Sequence, residues 1–188
     1  MSVQIEVWGE YGLFSRPEFK SERCSYDVIT PSAARGLIEA VYYHPGLKYT
    51  IDKIYVMNPI QFTNIRRNEV SSKISAKKAR TVMSGGTGAL YLATGKDIQQ
   101  RAAMVLKNLH YVIEAHFDMT GQANASDNPG KFQDILKRRL TRGACFSTPY
   151  FGTREFPANF RLWSGGEIPQ GWLWEMEKHR WMQLLWGS

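Results

Sequence analysis

Four side chains near two predicted helix boundaries have the types that metal-free RNA cleavage requires. Tyr42, Tyr43 and His44 lie together in the segment VYYHP, and Lys131 follows in NPGKF. In this chemistry the ribose 2′-hydroxyl is the nucleophile, so the protein must orient that hydroxyl, move protons and stabilise a charged phosphorane. Tyrosine, histidine and lysine are sufficient for these tasks. We therefore take these four residues as the candidate catalytic set.

Each candidate also has an ordinary structural interpretation. A tyrosine at a helix end is commonly a packed ring with a hydrated hydroxyl, and a lone lysine is commonly a solvated charge. The sequence has no Gly-rich phosphate loop, no HExxH or GxSxG motif and no paired metal-ligand spacing. We therefore predict no metal site and no cofactor.

The charge of the chain favours an anionic partner. Its 24 Lys and Arg residues exceed its 17 Asp and Glu residues, and the formal net charge is +7. Two clusters hold much of this excess, one within residues 64–81 and one within residues 128–142. Such clusters are typical of nucleic-acid-binding surfaces, although solvated protein faces have them too. The candidate RNA-binding residues in these clusters are Arg66, Arg67, Lys137, Arg138 and Arg139.

Two helices would position the candidate catalytic residues. Thr30 followed by Pro31 predicts the start of a helix with an apolar face that ends near Tyr43, just before Pro45 and Gly46. Asn128 followed by Pro129 repeats this capping pattern and predicts a second helix that ends at Gly143. Tyr42 to His44 then lie at the end of the first helix, and Lys131 lies in the first turn of the second, where free backbone amides also favour a phosphate.

Alternating apolar residues predict strands around these helices. We expect strands over residues 3–8, over 48–69 with a bulge or edge position at Asn58-Pro59, over 109–119, and extended chain over 145–160. Residues 70–96 have no sustained period and predict a loop or the tip of a long hairpin. The order of elements predicts an α+β fold of the ferredoxin-like, split βαβ class, with two helices on one face of a four-stranded antiparallel sheet.

The predicted domain organisation follows from these elements. Residues 1–156 form one domain, with a long basic hairpin at about residues 60–105, and residues 157–188 form a short C-terminal extension that contains five of the six tryptophans. We expect the extension to pack its aromatic rings on the sheet. Cys24 and Cys145 are interpreted as buried free thiols, because neither has a metal-ligand spacing. With no signal peptide and no apolar membrane-spanning segment, the sequence predicts a cytoplasmic protein without a membrane partner.

Four ordered segments resemble a known family. They are RPEFKSERCSYDVITPSAARGLIEAVYYHP, IDKIYVMNPIQFTNIRRNEV, HYVIEAHFDM and FGTREF. Together they resemble the Cas-five subunit of subtype I-C (Dvulg type) CRISPR–Cas systems, a member of the RAMP superfamily. The likeness extends from the N-terminus to about Phe156.

This resemblance implies a metal-independent endoribonuclease that cuts precursor CRISPR RNA at the base of the repeat hairpin. It further implies that the enzyme retains the 5′ handle of the crRNA as a subunit of the type I-C Cascade, beside the backbone and large subunits. The family's catalytic tyrosine falls on Tyr42, with Tyr43 adjacent, and its lysine falls on Lys131. Phe132 stands at the family's histidine position, and phenylalanine cannot transfer a proton, so His44 and Tyr43 are the nearest replacements in sequence.

Three functional hypotheses follow. In the first, the chain is the processing endoribonuclease described above. In the second, which Phe132 favours, it is a non-catalytic subunit that binds the 5′ handle while another nuclease cuts. In the third, it is a generic RNA-binding or ferredoxin-like metabolic protein whose basic clusters are solvated faces.

Overall fold

The computed structural model of the chain describes residues 2–19, 22–88 and 90–166. In this part of the chain the strands are β1 Ser2–Gly12, β2 Arg23–Cys24, β3 Leu47–Val56, β4 Gln61–Val70, β5 Ile98–Met119 and β6 Asn159–Leu162. The helices are α1 Pro31–Val41, α2 Ala76–Met83 and α3 Pro129–Arg142, with a short 3₁₀ turn at Thr94–Lys96. The predicted α+β class is therefore confirmed.

Residues 2–63 and 104–166 contain most of the sheet and form one compact unit. β1 pairs antiparallel with both β5 and β6, and β3 pairs antiparallel with β5. Ile5 lies opposite Ile113, and Val7 lies opposite Tyr111. All four of these side chains are buried, so alternate residues of the central strands form the floor of the core.

The two long helices cover this floor as their sequences predicted. α1 buries Ala34, Leu37, Ile38 and Val41, and α3 buries Phe132, Leu136 and Leu140. This three-to-four-residue spacing places the apolar side chains on one helical face. The contacts between elements place α1 against β3 and α3 against β6.

The predicted starts of both helices are confirmed by their capping hydrogen bonds. The Thr30 hydroxyl accepts a hydrogen bond from the Ala33 amide at 3.2 Å, and the Asn128 side chain accepts one from the Lys131 amide at 2.9 Å. Gly143 has φ 67°, the left-handed conformation that ends α3. α1 ends two residues earlier than predicted, with Tyr42 as its C-cap residue.

The prediction of four strands was wrong, because the described residues contain six. The segment predicted as one strand over 48–69 divides into β3 and β4, and the break includes Asn58 and Pro59. Proline cannot donate to a strand ladder, and the Asn58 side-chain amide donates to the Asn108 carbonyl at 3.0 Å. Asn108 itself has φ 54°, an irregular conformation inside β5. A short additional strand, β2, was not predicted.

Residues 64–103 form a second compact unit. The predicted loop was wrong over Ala76–Met83, which forms α2 with Ser75 as its capping residue. This helix buries no residue, so its sequence has no apolar period to reveal it and depends on good helix formers such as Ala, Lys and Arg. In the same unit, Asp97 accepts hydrogen bonds from Ser71 and Ser72.

Three further predictions concern the cysteines, membrane-spanning segments and the C-terminal tryptophans. Cys24 and Cys145 are free, but Cys24 is half-buried and Cys145 is exposed, so the expectation of buried thiols was wrong. No helix in the described part of the chain has the length and apolar character to cross a membrane. The predicted packing of Trp172, Trp174, Trp181 and Trp186 falls outside the described residues.

Candidate active site

The end of α1 and the start of α3 bring four polar side chains around one buried ring. We define the helix junction as Tyr42, His44, Asp127 and Lys131 around Phe132. Tyr42 and His44 follow α1, while Asp127 and Lys131 flank the start of α3. All of these polar residues except Asp127 belong to the candidate catalytic set predicted from the sequence.

Tyr42 is 7% exposed and is held by several contacts. Its ring centroid lies 6.3 Å from that of Phe132, and the Arg139 guanidinium carbon lies 5.0 Å from the Tyr42 ring centroid. Arg139 also donates to the Val41 carbonyl at 2.8 Å. Burial raises the pKa of Tyr42 above its ordinary value, and the positive charges of Arg139 and Lys131 offset this only in part. The side chain is therefore a neutral phenol near neutral pH.

His44 packs on the same buried ring and has a defined hydrogen bond. Its ring centroid lies 4.9 Å from that of Phe132. The Gly46 amide donates to His44 Nδ1 at 3.0 Å. A nitrogen that accepts a hydrogen bond has no proton of its own, so neutral His44 has its proton on Nε2. Nε2 lies 3.7 Å from Asp127 Oδ2.

Asp127 joins the two halves of the helix junction. Its Oδ1 lies 2.9 Å from Lys131 Nζ, and its Oδ2 accepts a hydrogen bond from the Asn124 amide at 2.9 Å. The Asp127 side chain is 3% exposed, whereas that of Lys131 is 44% exposed. The hydrogen bond from Lys131, that from Asn124 and the nearby charges of Lys131 and His44 lower the pKa of Asp127. The carboxylate is therefore ionised at neutral pH.

Two other predicted features, a catalytic role for Tyr43 and free phosphate-binding amides at the start of α3, have less support in the structure. Tyr43 is 54% exposed and turns to Phe146, with the two ring centroids 6.3 Å apart. The structure thus places Tyr43 beside the helix junction without a contact to its polar groups among the described residues. The Lys131 amide is already bonded to Asn128, so one of the predicted phosphate-binding amides is occupied.

The predicted RNA-binding residues fall into separate groups. Lys137 and Arg138 are exposed on α3, but Arg139 is half-buried against Tyr42 and Val41. In the unit of residues 64–103, Arg66 is exposed and Arg67 is half-buried on β4.

A second polar cluster lies on the sheet, and we define the sheet-face cluster as Glu6, Trp8, His110 and Arg161. Glu6 is 4% exposed, and its Oε1 lies 2.8 Å from His110 Nε2 and 3.0 Å from an Arg161 nitrogen. Arg161 Nε donates to the other carboxylate oxygen and its guanidinium carbon lies 5.3 Å from the Trp8 ring centroid. Burial raises the pKa of Glu6, but the hydrogen bonds from Arg161 and His110 outweigh it and the pKa is lowered.

The sheet-face cluster was missed because Glu6 and its partners His110 and Arg161 are distant in the sequence, and Asp127 was missed because His44 is distant from it. Asp127 precedes Lys131 by four residues, which is the spacing of a helical ion pair, and this was the one local signal available. Among the described residues no group of three or more His, Cys, Asp or Glu side chains could hold a metal ion.

Comparison with known proteins gives consistent matches. A family model described as CRISPR-associated protein (Cas_Cas5), the Cas5d family, matches residues 2–169. A relative from Mannheimia succiniciproducens named "CRISPR pre-crRNA endoribonuclease Cas5d" is 47% identical over 180 residues, covering 95% of this chain and 80% of the relative. A Thermus thermophilus relative of the same name is 42% identical over 171 residues, covering 91% of this chain and 68% of the relative.

Solved structures show the same fold at lower identity. A structure titled "Crystal Structure of CRISPR-associated Protein" has a TM-score of 0.59 and 22% identity, covering 87% of this chain and 67% of the other. A chain of a "CRISPR RNA-guided surveillance complex" has a TM-score of 0.51 and 12% identity, covering 82% of this chain and 58% of the other. At these identities the likeness concerns the fold alone.

Proposed function

The chain belongs to the CRISPR-associated Cas5 family, and from this premise we propose that it is a pre-crRNA endoribonuclease, as its two curated relatives are named. The observation that best supports the proposal is the helix junction itself. Tyr42, His44 and Lys131 come from two separate helices and gather around one buried ring, Phe132. These are the residue types that cleavage by a ribose 2′-hydroxyl requires.

In the proposed reaction the 2′-oxygen forms a bond to phosphorus while the bond from phosphorus to the 5′-oxygen breaks. The 2′-hydroxyl loses its proton to solvent water and the leaving 5′-oxygen gains a proton from solvent water, so the products are a 2′,3′-cyclic phosphate and a 5′-hydroxyl. Tyr42 acts as a neutral hydrogen-bonding group that orients the 2′-hydroxyl, because its raised pKa disfavours a role as base. Lys131 stabilises the phosphorane with its positive charge.

His44 supplies an N–H group that Phe132 cannot supply. Because Nδ1 accepts from Gly46, the proton of the neutral ring is on Nε2, which faces Asp127. The Nε2 to Asp127 distance of 3.7 Å is too long for a hydrogen bond, so this N–H remains available to a phosphate oxygen. His44, in the segment that follows α1, therefore contributes a hydrogen-bond donor to the phosphorane.

We also propose that RNA is bound through phosphate contacts. Lys137 and Arg138 are exposed on α3, the helix that begins at Lys131. Arg66 and Arg67 on β4 are a separate basic group in the unit of residues 64–103. Arg139 has a different proposed task, since its contacts with Val41 and Tyr42 position the tyrosine.

We also propose a fold class, an RNA substrate, partner subunits and a cellular location for this chain. The strand neighbours β6–β1–β5–β3, all antiparallel, together with α1 and α3 support a ferredoxin-like domain. The names of the relatives support CRISPR repeat RNA as the substrate. We further propose that the chain retains the 5′ handle, assembles with the other type I-C Cascade subunits and is cytoplasmic.

Incubation with type I-C repeat RNA in EDTA tests both the activity and its metal independence. We expect a cut at the base of the repeat hairpin, with a 5′-hydroxyl on the downstream product. Restoration of cleavage by Mg²⁺ alone would contradict metal independence. Tight binding without cleavage under either condition would contradict the enzyme and favour the alternative of a non-catalytic 5′-handle-binding subunit, which the relatives' names do not favour.

A further inference from the structure

Asp127 has contacts that point to a role in the proposed reaction. We infer that Asp127 is a positioning residue, which holds the Lys131 ammonium and faces the N–H of His44 so that both groups address one phosphate. This inference rests on the proposed endoribonuclease function. Asp127 touches no reacting atom in this scheme and acts through its two neighbours.

The burial of Asp127 is the first observation. Residues 124–126 before it and 128–129 after it are exposed, yet the Asp127 side chain is 3% exposed. Burial of a carboxylate costs free energy unless hydrogen bonds and opposite charges compensate. Here Lys131 and the Asn124 amide occupy different carboxylate oxygens, so the side chain is held from two directions.

The loop that leads to Asp127 is itself attached to the residues that follow α1. The Thr120 amide donates to the Gly46 carbonyl at 2.9 Å, and its hydroxyl donates to the Pro45 carbonyl at 2.7 Å. A Cβ on Gly46 would lie 2.9 Å from the Cα of Ala123, so this close approach requires glycine. The loop therefore places Asp127 beside Nε2 of His44.

An ordinary helical ion pair is the competing explanation. Asp127 and Lys131 are four residues apart, and exposed pairs at this spacing add little to stability. That explanation accounts for Lys131 but not for the burial of Asp127 or for its position beside His44. It also predicts no change in catalysis when the charge of Asp127 is removed.

Asp127→Asn separates the two explanations because it keeps the size of the side chain and one acceptor oxygen. We expect single-turnover cleavage of repeat RNA to fall about 10²-fold, since small displacements of catalytic groups have effects of this order. RNA affinity should stay equal or increase, because a negative charge beside a phosphate is removed. A loss of folding would instead weaken binding and cleavage together.

Asp134→Asn is the matched control, because Asp134 is exposed on α3, the helix that Asp127 precedes, and its loss changes net charge equally. We expect it to leave the cleavage rate unchanged. Asp127→Glu keeps the negative charge but moves it, so its cleavage rate should lie between the rates of wild type and Asp127→Asn. This second variant keeps the inference testable if Asp127→Asn folds poorly.

Wild-type-like rates in both Asp127 variants would overturn the inference while leaving the proposed function intact. Absence of cleavage by the wild-type chain, with RNA bound, would overturn the proposed function and this inference with it. A matched thermal midpoint for Asp127→Asn and wild type, with slower cleavage and undiminished affinity, is the result that supports the positioning role.

Discussion

The helix junction and the sheet-face cluster contain nearly the same residue types but differ in how their charges are paired. Each has a carboxylate with a histidine on one side and a cation on the other. In the sheet-face cluster both oxygens of Glu6 are taken by His110 and Arg161 at hydrogen-bond distance. In the helix junction the histidine stays 3.7 Å from Asp127.

This difference separates a structural ion network from a candidate active site. The residues of the sheet-face cluster lie on paired strands, where the ladder fixes their backbone and their hydrogen bonds are satisfied. The helix junction is built from helix ends, where Lys131 remains 44% exposed. A group with unused donors can receive a phosphate, whereas a satisfied network cannot do so without losing its own bonds.

Lys131→Ala should have the largest effect on cleavage and is the most direct test of the difference between the helix junction and the sheet-face cluster. We expect single-turnover cleavage to fall about 10²–10³-fold, because one donor of transition-state stabilisation is removed. Lys137→Ala is the matched control on the same helix and should change cleavage little, although its RNA binding should be weaker and less dependent on salt. Equal losses in the two variants would mean that Lys131 only binds RNA.

Glu6→Ala should change stability and leave cleavage unchanged. We expect the free energy of unfolding to fall by about 1–3 kcal/mol, since the hydrogen bonds of a buried carboxylate to Arg161 and His110 are lost. Chemical denaturation and single-turnover cleavage measured on the same sample test this. A cleavage defect in a variant that remains folded would place the sheet-face cluster in the active site.

The sheet-face cluster also predicts how the free energy of unfolding changes in acid. The pKa of Glu6 is lowered from 4.5 in the folded protein, so its stabilisation is complete above pH 4.5 and is lost as pH falls through the lower folded value. Unfolding free energies measured across this interval should therefore fall less steeply for Glu6→Gln than for wild type. Identical slopes would mean that the ion network does not stabilise the folded chain.

Tyr42→Phe should have a smaller effect on the helix junction. We expect cleavage to slow about tenfold, which corresponds to the loss of one ordinary hydrogen bond. Because burial raises the pKa of Tyr42 above 10.0, the wild-type pH–rate profile should show no ionisation of this residue near neutral pH. A rising limb that disappears in Tyr42→Phe would identify the tyrosine as a base.

Among the variants of the helix junction, Phe132→His should have the smallest effect on cleavage. Phe132 is 1% exposed and contacts the rings of Tyr42 and His44, so an imidazole there would be buried beside an existing histidine. We expect a less stable protein and a cleavage change below about threefold, with Phe132→Leu as the apolar control. A large gain would show that the natural junction lacks a proton donor and that His44 does not supply one.

Local sequence patterns predicted the parts of the fold that depend on neighbouring residues. Asn128-Pro129 and Gly143 gave the boundaries of α3, because capping involves backbone groups within one turn. The same reasoning failed for α2, which buries no residue and leaves no apolar period. It also failed at Asn58-Pro59, where a contact with Asn108 accompanies the break between two strands.

The sequence alone determined the residue types of the candidate site and the helix ends that present them. Tyr42, His44 and Lys131 were identifiable because each lies within a few residues of a capping signal. Only the tertiary structure decided that Arg139 packs on Tyr42 and that Asp127 faces both His44 and Lys131. Such pairings depend on how helices and loops pack on the sheet, and this packing is set by the whole buried core, not by neighbours along the chain.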